Sequence, residues 1–116
     1  MRITLAQIEP ITGDLEGNTR RILEVIQQHD ADSDVIVFPE MAVTGYNCGA
    51  DFECEEFVQD AWECIEKIIA PAVGRSFVLA GAPTFASPMH ERNGSIRIHN
   101  TALLMHEGGF NVIFVQ

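Results

Sequence analysis

The run Val35-Ile36-Val37-Phe38 constrains this chain most, because four apolar residues, three of them β-branched, follow one another with no polar break. A strand without alternation is buried on both faces, so it belongs inside a sheet layered with helices. Pro39 supplies no ladder donor and ends it. Upstream, residues 2–8 read as a first strand, closed by Pro10 and Gly13. Asp14 is a helix N-cap, and Leu15, Thr19, Ile22, Val25 and Ile26 then recur at three- and four-residue spacing, with Glu16, Arg20, Arg21 and Glu24 outside that stripe. Strand, helix and buried strand in succession form a βαβ unit with a right-handed crossover.

Downstream, a second helix is expected over Cys54–Ala70, with Phe57, Ala61, Ile65 and Ile68 on its inner face, widened by Val58, Trp62 and Ile69. Pro71 and Gly74 terminate it, and Phe77–Gly81 reads as a third buried strand. Residues 86–94 are a loop by composition. Ile96–Met105 and Phe110–Val115 then read as a hairpin around Glu107-Gly108-Gly109, where two residues are free to take positive φ. The order β-α-β-α-β plus hairpin indicates an α/β layered protein with a mixed sheet, in one unit over residues 1–116. The last strand runs to Gln116 without a stop signal, so the sequence is expected to continue in its parent.

The charge balance is acidic, −10 from 17 acids against 7 bases, with no basic stripe. Nucleic acid and anionic membranes are poor partners for such a surface, since both need clustered Lys and Arg. Apolar runs are too short to span a bilayer, and the N-terminus lacks a charged segment followed by an apolar one. Cys48, Cys54 and Cys64 cannot all pair within the chain and fit a reducing cytoplasm. Their spacing matches no zinc pattern, His29, His90, His99 and His106 make no paired ligand set, and phosphate-loop motifs are absent. The acidic cluster around Asp51, Glu53, Glu55 and Glu56 reads as capping and solvation at a helix start.

Chemistry concentrates in Val37-Phe38-Pro39-Glu40-Met41-Ala42-Val43-Thr44-Gly45-Tyr46. Open α/β sheets place their sites at the carboxyl ends of strands. Glu40 stands there beside a stiffening proline, a position expected to hold a carboxylate partly out of water and suit it to general-base work. A strand-terminal glutamate that merely faces solvent is the alternative.

The segment Phe38–Tyr46 resembles the first catalytic motif of the nitrilase superfamily of carbon–nitrogen hydrolases. Met1–Asn18 resembles that family's opening strand, Gly-Asp turn and helix entry, and Asn100–Leu104 with its Gly-Gly turn resembles its hairpin. This likeness implies the N-terminal half of a four-layer αββα sandwich, in which a Cys nucleophile, a Glu and a Lys act together. Glu40 would be the general base. The continuation Ala42-Val43-Thr44-Gly45-Tyr46 is similar to the glutaminase domains of NAD synthetases, where Tyr46's counterpart lines the glutamine pocket; a half-buried core aromatic is its bland alternative. The resemblance further implies a small amide substrate, glutamine first among them, and a homo-oligomeric parent. ATP and Mg would be used in a separate synthetase domain, with no cofactor in this segment. The one lysine, Lys67, lies on the polar face of the second helix and does not match the motif lysine. None of the three cysteines stands where the nucleophile would, so the chain ends before both partners and is expected to be inactive alone. Such a segment should also leave apolar sheet surface uncovered.

Overall fold

The computed structural model describes residues 1–46, 55–85 and 98–115. Cys48, Cys54, His90, the loop at 86–94, and Asp51 and Glu53 of the acidic cluster lie outside the described residues.

Five strands form one mixed sheet in the order β1 (Ile3–Leu5), β2 (Val35–Val37), β3 (Phe77–Phe85), β4 (Ile98–His106) and β5 (Gly109–Val115). The first three run parallel and the last two antiparallel. Each parallel connection carries a helix: α1 (Leu15–His29) between β1 and β2, and α2 (Glu55–Glu63) between β2 and β3. Both connections step the same way across the sheet, so right-handed crossovers put both helices on one face. Ile22 and Ile26 of α1, Ile65 and Ile69 beyond α2, and Ile36, Val78, Leu103 and Met105 of the strands share the resulting core. The expected first strand shrinks to Ile3–Leu5.

The α1 cap is as expected, with the Asp14 carboxylate accepting from Gly17 N at 3.0 Å. The second helix departs from its expected course. After Glu63 it continues as a π-helical segment, Cys64–Ile69, before a last turn, α3 (Ala70–Ala72), which contains Pro71. Pro71 is tolerated because it falls at the first positions of that turn. Bonding from i to i+5 adds a residue to the turn, so Ile69 rather than Ile68 follows Ile65 inward. Ile68 is 46% exposed, which corrects the stripe read from α-helical spacing. The hairpin turn also shifts by one residue. The positive φ values fall on Glu107 (48°) and Gly108 (81°), which is the pair a two-residue I′ turn requires, and Gly109 joins β5.

Charged groups at the amino end of the parallel strands serve the fold. Asp30, at the end of α1, accepts from Gly74 N, Arg75 N and Ser76 N at 3.3, 3.1 and 3.0 Å and from Ser76 Oγ at 2.5 Å. Burial pushes its pKa up, but the Ser76 hydroxyl and these three N–H groups outweigh burial and leave it below the usual carboxylate range. Asp34 is lowered as well, first by the N–H of Arg2 (2.6 Å) and then by the Arg75 guanidinium (3.0 Å).

The sheet face away from the helices is uncovered. Ile3, Leu5 (75% exposed), Phe77 and Ile113 present apolar side chains there, as expected of one helical and one sheet layer from a four-layer sandwich.

Candidate active site

Glu40 lies just past the carboxyl end of β2, and the loop that carries it is pinned from three sides. Phe38 N donates to Leu79 O of β3 at 2.8 Å, which seats the Pro39 bend. Met41 follows with φ 54°, a left-handed conformation uncommon for a side chain of its size, and Gly45 N closes back to Met41 O at 2.8 Å. Ala42, Val43 and Thr44 are buried, so the loop is anchored while Glu40 faces outward.

The second restraint comes from the start of α1. Asn18 is fully buried. Its Nδ2 donates to Ile11 O and Val43 O, and its Oδ1 accepts from Ile11 N, all at 2.8 Å. Gly13 N donates to Thr44 O at 2.9 Å, and Thr12 Oγ1 to Tyr46 O at 2.6 Å. Gly45, at φ 78°, sits so close to Thr12 that a Cβ would lie 2.7 Å from its Cα. The Gly-Asp turn and the helix-entry asparagine are thus a clamp on the glutamate loop.

The third restraint is β3. A Cβ on Gly81 would stand 2.9 Å from Glu40 Cα and 3.0 Å from Met41 N, so only glycine lets the loop backbone lie against the strand. Beside it, on the uncovered sheet face, is a cleft of about 420 Å³, within the usual size range of small-molecule pockets. Val37, Leu79, Gly81, Ala102 and Ile113 form its apolar wall, and Glu40 and Asn100 supply polar groups. Asn100 Nδ2 donates to Glu40 Oε1.

Glu40 is exposed, so the partial removal from water expected of it is not met in this chain: the cleft opens on the face that carries no helix. Tyr46, 43% exposed at the far end of the loop, does not line the cleft. Lys67 pairs with Glu63 at 3.7 Å on the helical layer, and Cys64, a free thiol, also lies there; neither lines the Glu40 cleft. Among the described residues no salt bridge reaches Glu40, and no group of three or more His, Cys, Asp or Glu could hold a metal ion. None of the described helices is long and apolar enough to cross a membrane. Asn18, Gly81 and Asn100 were not readable as site residues. Asn18 and Asn100 fall in segments that resemble the family without being marked there as site residues, and the further local signals were an asparagine, a poor helix former, inside a helix and a glycine inside a strand.

A carboxylate thus stands at the carboxyl end of the parallel strands, on a clamped loop over an apolar cleft, where open α/β sheets place their sites. The carbon–nitrogen hydrolase family pattern matches residues 2–113, and the chain belongs to that family. Over 46 residues, 40% of its length, it is 44% identical to the glutamine-dependent NAD(+) synthetase of Aquifex aeolicus, and the match covers 8% of that protein. The solved glutamine-dependent NAD(+) synthetase of Cytophaga hutchinsonii shares its fold with a TM-score of 0.78 and 26% identity, over 97% of this chain and 18% of that one. An amidase of the nitrilase superfamily from Nesterenkonia shares the fold with a TM-score of 0.72 and 22% identity, over 100% of this chain and 42% of that one.

Proposed function

We propose that residues 1–116 are the glutamate-bearing part of a glutamine amidohydrolase that supplies ammonia for ATP-dependent NAD synthesis. The observation that carries this is Glu40 held at the mouth of an apolar cleft by a loop clamped onto α1 and β3. The identity to NAD(+) synthetases supports glutamine over other amides. In this reading Glu40 works with a catalytic Cys and Lys other than Cys64 and Lys67, which lie on the helical layer. Glu40 accepts the thiol proton, and the thiolate attacks the amide carbonyl. Ammonia leaves with a returned proton, and Glu40 then activates the water that hydrolyses the thioester. The Lys stabilises the tetrahedral oxyanion. Tyr46, exposed at the end of the same loop, is assigned to contact with the amide substrate from outside the apolar wall. ATP and magnesium act in a separate synthetase domain, the enzyme works in the cytoplasm, and its subunits associate.

The test is glutamine-dependent ammonia release. Residues 1–116 alone should release none, whereas the polypeptide extended through the lysine and cysteine should turn over and lose activity on Glu40→Gln. Full turnover by the Glu40→Gln enzyme would refute the assignment. Turnover of other amides but not glutamine would replace the synthetase reading with a free-standing amidase.

A further inference from the structure

Glu40 presents a mechanical difficulty. Its side chain is long, exposed and carried on a loop, and such a side chain loses much rotamer freedom when held in one position. A proton acceptor must nevertheless be aimed, since misplacement by about 1 Å can cost roughly 10²-fold in rate. The loop clamps act on backbone groups at residues 41 to 46 and leave the carboxylate itself unrestrained.

The restraint on the carboxylate comes from β4. Asn100 is opposite Pro83 in the β3–β4 ladder, two positions along from the Gly81–Ala102 pair, so its Cα is fixed by the sheet. The half-buried Asn100 side chain donates Nδ2–H to Glu40 Oε1. The glutamate is therefore gripped at both ends by neighbouring parts of one rigid ladder. Gly81 admits its backbone, and Asn100 holds one carboxylate oxygen. The two oxygens are thereby made different. Oε1 is loaded by a donor, and among the described residues no donor meets Oε2. An amide suits this task because it donates without carrying a charge or an acidic proton of its own. A lysine or arginine at this place would instead form an ion pair with the base.

We propose that Asn100 is the positioning residue of the glutamate: it fixes the carboxylate through Oε1 and leaves Oε2 as the oxygen that takes the proton. The proposal rests on the reading of Glu40 as general base, and its test separates the two. In residues 1–116, the Asn100 side-chain amide should give a displaced, slowly exchanging pair of ¹H–¹⁵N signals. Glu40→Ala should shift that pair and speed its exchange. An unchanged pair would overturn the pairing. In the extended, active polypeptide, Asn100→Leu keeps the size and removes the donor, and Asn100→Asp keeps the shape and sets a like charge against Glu40. Both should lower kcat by about 30- to 100-fold with KM within about threefold, while circular dichroism and urea midpoints confirm folding. If Glu40→Gln is inactive but Asn100→Leu keeps kcat within about twofold, this inference fails and the general-base reading stands. If Glu40→Gln retains its turnover, the general-base reading fails, and the catalytic role of Asn100 fails with it.

Discussion

Replacing Asn18 by alanine tests the clamp most directly. The side chain is fully buried and makes three 2.8 Å hydrogen bonds, two to Ile11 and one to Val43 O. Truncation leaves three backbone groups without partners. Ile11 is itself exposed, so water can recover much of what its N–H and carbonyl lose. Val43 is buried, and its carbonyl pays the desolvation penalty of about 1–3 kcal/mol. The cavity left by the amide and the residual loss at Ile11 bring the expected destabilisation to about 2–4 kcal/mol. That is a large share of the roughly 5–15 kcal/mol that stabilises a typical domain. Urea unfolding followed by far-ultraviolet circular dichroism measures the total. Hydrogen exchange measures its location, because the Gly13 N–H bonded to Thr44 O should exchange faster than amides of β3. A loss under about 0.5 kcal/mol with Gly13 protection unchanged would show that the loop is held without Asn18.

Three further outcomes are expected. Gly81→Ala should destabilise by about 1–3 kcal/mol and shift Glu40 and Met41 amide resonances, because the new methyl meets loop backbone at 2.9 and 3.0 Å; silent resonances would deny the close approach. Thr19→Val should raise the urea midpoint, by about 1 kcal/mol of stability, since the buried Thr19 hydroxyl has no hydrogen-bond partner among the described residues; a lower midpoint would mean that the hydroxyl is satisfied after all. Asp30 and Asp34 are held below the usual carboxylate range when folded, so their stabilisation is complete above the ordinary carboxylate pKa and is lost as pH falls through the folded values. Stability should therefore drop below about pH 4 with a shallower slope in Asp30→Asn. Equal slopes in the two proteins, by urea unfolding between pH 5 and 2, would remove Asp30 from the account.

Much of the architecture was legible because it depends on local patterns. The unbroken run at Val35–Phe38 and the Asp14 cap before an apolar stripe depend only on neighbours in sequence, and strand and cap both form where they were read, although only Ile36 of the strand is fully buried and Val35 and Val37 are half-buried on the uncovered face. The second helix was misread at Ile68 because a π turn changes which residue faces inward while leaving composition untouched. The hairpin was misplaced by one residue because two adjacent glycines offer the positive φ equally well, and the β4–β5 register chose Glu107 and Gly108.

The chain of amino acids by itself determined the order of elements, the family, and the one carboxylate placed at the end of a buried strand, since periodicity, caps and a contiguous motif are all short-range properties. Only the tertiary structure decided what holds that carboxylate. Asn18 is 25 residues from Val43, Gly81 packs under Glu40 from another strand, and Asn100 meets the same glutamate from 60 residues away. Contacts of that kind arise only when the sheet brings distant strands into register, so no stretch of the sequence contains them.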